Sequence, residues 1–414
     1  MAQTVDRLYR IAFFVEGMHA SGVDTSTRLQ AQALRTLGHQ VIIFSPWQAT
    51  TTGLQPAETV QLAAMSVKLK SRIDLSYPLS WRLLRIFKEQ PFDLIHVHTS
   101  TSVNLLAWQM ATLYKLPIVY TYHTLSKEYL HYLGLSSEQM ATLFTPMIEL
   151  YDKMICDRAD LVITPSAKAA AYLRNLGIQP AIRTAPNGVD VARFRPGQST
   201  VLQTEFGVPS DATVLLFVGR LNQEKRPLLA YELFRHAAHA HPHLHLVMVG
   251  DGALRPVLAQ RAQHDDLAQR VTLTGKVDYA QMPGIYNSAH LWISTSQSEV
   301  HPMAALEAAA CGLPAVAFAD PALTGIVEHG VSGWLVTENQ AFLDGIAQLL
   351  DSPERYAMMQ NAAVAQAQRY QIEASARLIV DCYHEAMASR AARTPENRRP
   401  RHRGRLAPLR EFRR

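Results

Sequence analysis

The sequence predicts an α/β protein of two domains, each a parallel sheet wound on both faces by helices. Three observations carry that prediction. The chain has 414 residues, more than one hydrophobic core usually organises. Short apolar runs alternate with helical patterns in both halves, the order that parallel sheets require. In the second half four of five strands run into Gly- or Ser/Thr-containing loops at their C-terminal ends, where open α/β sheets bind ligands.

Composition narrows the class. Hydrophobic residues make up 48% and charged residues 18%, the balance of a globular protein. Cys156, Cys311 and Cys382 are far apart and odd in number, which argues against a disulfide framework or a zinc site and fits a reducing cytosol. No apolar run reaches transmembrane length, and Ile11–Val15 is too short for a signal peptide. Contact with a membrane is therefore expected at its surface. The formal charge of +5 is misleading: from Ser389 onward the chain holds ten Arg and two Glu, which leaves residues 1–388 at −3. Residues 391–414 read as a basic disordered tail, to which an anionic bilayer or nucleic acid is electrostatically suited.

Taken in order, RIAFFV (10–15) reads as a buried strand and is followed by a loop. An amphipathic helix is expected from about Thr25 to Leu37, stopped by Gly38, and VIIFSP (41–46) is the next strand. This first unit lacks G-x-G-x-x-G, so a dinucleotide site is not expected. Residues 48–75 show no regular period. LSWRLLRIFKEQ (79–90) sets Arg82, Arg85 and Lys88 on one side of a helix and Leu83, Ile86 and Phe87 on the other. FDLIHVHTS (92–100) and KLPIVYTYHT (115–124) are strands that each end in His-Thr. His96 and His98 share a face of one strand and read as core or cleft histidines, since other ligand residues are missing nearby. His123 follows the end of a parallel strand, a ligand-binding position. A long helix is expected over about 127–157, then a strand at ADLVITPS and a helix capped by Gly177. Pro186-Asn187-Gly188 marks a turn before a domain linker at about 190–205. TVLLFVG (213–219), LHLVMVG (244–250), RVTLTG (270–275), AHLWIST (289–295) and PAVAF (314–318) are the strands of the second half, and about 354–390 is helical. The histidines at 236, 239, 241, 243 and 245 straddle a helix end, Pro242 and a strand start, poor geometry for a metal.

The chemistry concentrates in SEVHPMAALEAAACGLP (298–314). Pro302 suits a first helical position, and Gly312 sits where a left-handed cap is wanted. The helix between them is apolar around its circumference except for Glu307, and a buried carboxylate needs a partner. Glu299 lies in the preceding loop, and Glu307 leans back toward it, near free N–H groups that attract phosphate. In GRLNQEKRP (219–227), Arg220 and Lys225 follow the first strand of this half and can present two cations to a diphosphate. VGDG (249–252) follows another strand. All three loops face one sheet edge, and a nucleotide supplies what each wants: hydroxyls for Glu, phosphate for Arg and Lys, a base for the backbone.

SGV (21–23), His123-Thr124, PNGVDVARF (186–194), GRLNQEKRP, VGDG and Glu299-x7-Glu307 followed by ACGLPAV together resemble the retaining glycosyltransferases of family 4, which have the GT-B fold. The motifs run in order to about residue 337. The resemblance implies two Rossmann-like domains around a cleft, with residues 1–195 on the acceptor side, 196–370 binding a nucleotide-sugar, and a helix at 371–390 crossing back. It implies that Glu307 takes the ribose hydroxyls, Glu299 contacts the donor sugar, and Arg220 and Lys225 neutralise the departing diphosphate. Lys276 and Val277 stand where the base docks, His123 lies against the sugar, and Gly22, Gly250, Met303 and Ala304 complete the donor side. Transfer with retention needs no cofactor or obligatory metal in this family. Two positions depart from it: Ser21-Gly22 replaces a glycine pair, and Pro302, which has no N–H, replaces a glycine.

More narrowly, YTYHTLSKEYLHYLG (120–134) is similar to the corresponding segment of bacterial diacylglycerol glucosyltransferases. That likeness implies UDP-glucose as donor and a membrane lipid as acceptor. It puts His123, Thr124, Glu128, Tyr129 and His131 on the acceptor side, and the enzyme peripherally on the inner face of the cell membrane, with the 79–90 helix and Lys68, Lys70 and Arg72 toward the lipid. Phosphatidylinositol and soluble sugars are the other acceptors. A nucleotide-sugar epimerase has the same architecture but not this Arg/Lys and Glu-x7-Glu layout. A nucleic-acid role rests on the tail alone.

Overall fold

The computed structural model describes residues 7–16, 22–46, 59–68, 72–77, 80–126 and 138–393. The first sheet is built from β1 (Arg10–Phe14), β2 (Gln40–Ser45) and β3 (Thr59–Gln61), and, after the antiparallel hairpin β4 (Ala64–Lys68) and β5 (Arg72–Ser76), from β6 (Leu94–Val97), β7 (Ile118–Thr121), β8 (Leu161–Thr164) and β9 (Ala181–Thr184). The second contains β10 (Thr213–Val218), β11 (Leu244–Val249), β12 (Val271–Gly275), β13 (Leu291–Ser294), β14 (Ala315–Phe318) and β15 (Gly333–Val336). Their orders are β3-β2-β1-β6-β7-β8-β9 and β12-β11-β10-β13-β14-β15, parallel throughout. Each order reverses at one point, between β1 and β6 and between β10 and β13, where two neighbouring loops diverge and leave a crevice.

The helices of the first half are α1 (Gly22–Thr36), α2 (Trp81–Glu89), α3 (Ser102–Leu113), α4 (Glu138–Cys156) and α5 (Ala167–Asn175). Those of the second are α6 (Val201–Phe206), α7 (Pro227–Ala240), α8 (Arg255–His264), α9 (Met282–Asn287), α10 (Met303–Ala310), α11 (Asn339–Leu350) and α12 (Pro353–Ala367). The last helix, α13 (Ile372–Arg393), returns to pack on α1, β7 and β8 of the first sheet. Val189 N–H donates to the Tyr370 carbonyl at 2.7 Å and Ile372 N–H to the Val189 carbonyl at 3.1 Å, so the strand between the domains is stitched to the returning chain. A Cβ on Gly188 would stand 2.5 Å from Ile372 Cα, which explains the glycine at this crossing.

Three apolar clusters follow. One lies under α2–α5, one under α7, α8 and α11, and the third runs between the domains, joining Leu29 and Leu34 of α1, Leu306 of α10 and Tyr383 of α13. The inner faces of both sheets thus share one core.

Several expectations are corrected. The stretch 48–75 contains three strands where no period was legible, AIRT and GWLV are edge strands, and the His-Thr pairs lie just beyond β6 and β7 rather than inside them. Of the helix expected over about 127–157 the described part is α4, while Glu128, Tyr129 and His131 lie outside the described residues, as do Lys70 and the tail from 394. Part of the expected tail is helical: α13 runs to Arg393, and Arg390 and Arg393 approach Asp160 to 3.8 and 3.6 Å. Among the described residues no helix is long and apolar enough to cross a membrane, and no group of three or more His, Cys, Asp or Glu side chains has the arrangement of a metal site.

Candidate functional site

The loops after β10 and β13 flank the switch point of the second sheet, and they interlock. Thr295 Oγ1 donates to the carbonyls of Lys225 and Arg226 at 3.1 and 2.8 Å, and Ser298 Oγ to that of Glu224 at 3.0 Å. Arg226 adopts a left-handed conformation (φ 51°) that turns the chain from the loop into α7, and its guanidinium donates to Gln297 Oε1 at 2.6 Å. This geometry delivers Lys225 Nζ to 2.6 Å from Glu299 Oε1. Burial pushes the Glu299 pKa up, but Lys225, helped by the Ser296 hydroxyl and by Lys168 farther off, outweighs it and holds the carboxyl below its ordinary range. Arg220 pairs with the buried Glu224 at 3.2 Å in the same loop.

The two carboxylates foreseen near one helix start have different partners. Glu307, in the second turn of α10, is buried and accepts a hydrogen bond from the Tyr286 hydroxyl at 2.8 Å. Burial pushes its pKa up to about 7, against the opposing influence of the Tyr286 and Tyr279 hydroxyls and Arg193. Arg193 lies over the Tyr279 ring at 4.6 Å and donates to the Tyr279 carbonyl at 2.7 Å.

Pro302 is the cap of α10 rather than its first helical residue, with φ −71° and ψ 120°, and no side chain caps the helix. The first helical N–H groups therefore belong to Met303 and Ala304, and these are the kind that attract anions. Gly22 opens α1 opposite them: a Cβ there would lie 4.0 Å from Met303 Cγ. Gly312 has the expected left-handed φ of 80°. Gly250 is required by packing, since a Cβ would stand 2.0 Å from the Gly219 carbonyl oxygen. Beyond β12, Lys276 is exposed and Val277 is half-buried against the shared core.

The first domain contributes uncharged groups. His123 and Thr124 are half-buried beyond β7. The His123 Nε2 lies 3.1 Å from His98 Nδ1, and the His98 ring is tilted against that of His96 with centroids 4.0 Å apart. His96 in turn bridges Tyr383 Oη at 2.8 Å and Thr121 Oγ1 at 2.6 Å. Burial takes the His123 pKa down to about 4 and holds those of His96 and His98 well below the usual value, so all three rings are neutral at physiological pH. His96 and His98 are thus buried core histidines, one of the two readings the sequence leaves open, and His98 leads from them to the half-buried His123.

Sequence reasoning missed Tyr279, Tyr286 and Arg193 around Glu307, and Lys168, Asp320 and Asn187 around the Glu299 loop. Asn187 and Arg193 belong to the PNGVDVARF motif, whose presence was a signal. Lys168 and Asp320 lie in segments with no distinctive pattern, and only folding brings them to the site.

Residues 20–193 match the family described as Glycosyltransferase Family 4, and residues 199–366 match Glycosyl transferases group 1. The chain is 27% identical over 334 residues to the alpha-monoglucosyldiacylglycerol synthase of Streptococcus pneumoniae, covering 79% of this chain and 75% of that one. It is 30% identical over 397 residues to D-inositol 3-phosphate glycosyltransferase 2 of Catenulispora acidiphila, covering 90% of each. Its fold matches that of Anabaena Alr3699/HepE in complex with UDP and glucose, with a TM-score of 0.70, 19% identity and coverage of 90% and 98%. With its paired Rossmann-like sheets, its returning helix and matched regions from residue 20 to residue 366, this chain is a glycosyltransferase of family 4 with the GT-B fold.

Proposed function

We propose that the protein moves a hexose from a UDP-sugar, UDP-glucose first, to a hydroxyl of a diacylglycerol-type membrane lipid, with retention of the α-configuration. The observation that carries this reading is the Lys225–Glu299 pair at the switch point, 2.6 Å apart beside the uncapped start of α10. In the proposed reaction the bond from sugar C1 to the diphosphate oxygen breaks, its electrons stay on UDP, and the acceptor oxygen bonds to C1. The acceptor proton passes to the departing diphosphate. Lys225 and Arg220 stabilise the charge that develops there. Glu299 orients the sugar, Glu307 takes the ribose hydroxyls, and Lys276 and Val277 flank the base. His123 and Gly22 approach from the first domain, with Thr124 toward the acceptor.

The lipid acceptor is supported by the name of the pneumococcal relative and by the surface of the first domain. Among the described residues, nine of the fourteen exposed large apolar side chains lie between Tyr77 and Met154. On α4, Leu143, Met147, Leu150 and Met154 follow helical spacing and form one outward stripe. On α2, Trp81 stands exposed beside Arg82, Arg85 and Lys88. Apolar side chains mixed with Trp and cations suit an anionic bilayer surface. The second reading, transfer to a soluble phosphorylated polyol, is favoured by the greater coverage of the inositol-phosphate relative.

The test offers UDP-glucose, UDP-galactose, UDP-GlcNAc and GDP-mannose to the purified protein, with vesicles containing diacylglycerol or with inositol phosphate. UDP release that requires the vesicles is expected. Transfer to the soluble polyol without lipid overturns the lipid reading.

A further inference from the structure

We propose that Lys168 is a positioning residue through which the first domain sets the geometry of the Glu299 loop in the second. Lys168 lies in the first turn of α5, a helix capped by Ser166. Its ammonium reaches out of that domain to the carbonyls of Gln297 and Glu299, at 3.1 and 2.9 Å, and to both carboxylate oxygens of Asp320, at 2.9 and 2.8 Å. Asp320, just beyond β14, accepts the Glu299 N–H at 3.2 Å. One side chain from each domain therefore grips the Glu299 backbone, at its carbonyl and at its N–H.

Exposed ion pairs of this kind do little, because water competes for both partners. This one differs, since the Asp320 carboxylate has 0% exposure and the Lys168 side chain 19%. Removing the ammonium leaves a buried carboxylate without its cation and two carbonyls without their donor. The loop is held from the first domain at its other end as well. Asn187 Nδ2 donates to the His301 carbonyl at 2.9 Å, while Asn187 Oδ1 accepts from Ser26 Oγ of α1 at 2.8 Å. Residues 297–301 thus take their shape where the domains meet. The Glu299 carboxylate, and with it the Lys225 pair, is assembled by domain approach. The groups around Glu307 come from α9, the loop before it and the interdomain segment, so the proposed ribose contact does not depend on this latch.

The activity readout rests on the proposed transfer reaction; a distance readout does not. Lys168→Met, Lys168→Arg and, as a control, Arg183→Gln are compared with the unaltered protein. Arg183 forms an exposed pair with Glu385 on α13, away from the loop. Lys168→Met is expected to lower kcat/KM for the donor by roughly 10- to 100-fold, the scale of a small misplacement of reacting groups. The dissociation constant for UDP should stay within about twofold, as expected when a binding contact is untouched. Lys168→Arg should restore most turnover, and Arg183→Gln should match the unaltered protein. Spin labels on the two domains should report a broadened distance distribution for Lys168→Met alone. Near-normal kcat/KM in Lys168→Met, or a loss of UDP affinity in step with turnover, overturns the proposal. If the unaltered protein transfers no sugar, the functional reading fails, and the distance distribution alone decides: an unchanged distribution overturns the latch, a broadened one upholds it.

Discussion

The two domains wind their sheets in the same order, yet they offer different chemistry at the cleft. Beyond the strands of the second stand Arg220, Lys225, Glu299 and Glu307, each with an oppositely charged or hydroxyl partner. At those of the first, His96 within β6 and His98 and His123 beyond the strand ends are neutral, and its outer helices expose an apolar stripe. A shared topology supplies a crevice and leaves the chemistry to loops. The charged crevice suits a diphosphate, and the half-buried, neutral His123 suits the uncharged face of a sugar.

The largest expected effect tests the charged side. Lys225→Ala should lower turnover by about 10²–10³, the usual scale for removing one preorganised donor to developing charge. Unchanged melting of the same variant would show that chemistry and not folding was lost, and near-normal turnover would defeat the assignment.

Glu307 comes next. A carboxyl with its pKa raised to about 7 is protonated more in the folded chain than in the unfolded one, so its charge destabilises the fold increasingly as pH rises from the usual carboxylate range to about 7. Glu307→Gln should therefore be more stable than the unaltered protein at pH 8, by up to about 3 kcal/mol, and show no such gain at pH 5. It should also bind UDP-glucose roughly tenfold more weakly at pH 8, since hydrogen bonds to a charged acceptor are the stronger kind. In the unaltered protein, calorimetry should show UDP-glucose affinity falling as pH drops through about 7. Flat affinity across that window would remove the ribose role.

The smallest effect tests the first domain's surface. Met147→Ser with Leu150→Ser should leave UDP binding unchanged and weaken sedimentation with anionic vesicles about five- to tenfold, in keeping with the loss of two partly inserted side chains. Unaltered vesicle binding would assign the stripe to something other than a bilayer.

How much was legible follows from range. The strands from VIIFSP to PAVAF were readable because continuous apolar runs mark buried parallel strands. The edge strands AIRT and GWLV were not, being short and half-exposed. Arg220, Lys225, Glu299 and Glu307 stood out because cations and paired carboxylates follow strand ends in one half of the chain. Tyr286 and Lys168 did not: one is 21 residues from its partner Glu307, the other 152 from Asp320, and no local period links such positions.

The sequence by itself determined the alternation of strands and helices, the division into two units, the glycine at 312 and the loops that carry charge, since these depend on short-range periodicity and backbone stereochemistry. Tertiary structure alone decided which charge meets which. It separated Glu299, paired with Lys225, from Glu307, enclosed by tyrosines, and it made Pro302 a cap that leaves the N–H groups of Met303 and Ala304 at the helix start. The physical reason is that ion pairing and desolvation depend on distances across the folded chain, which the order of residues does not contain.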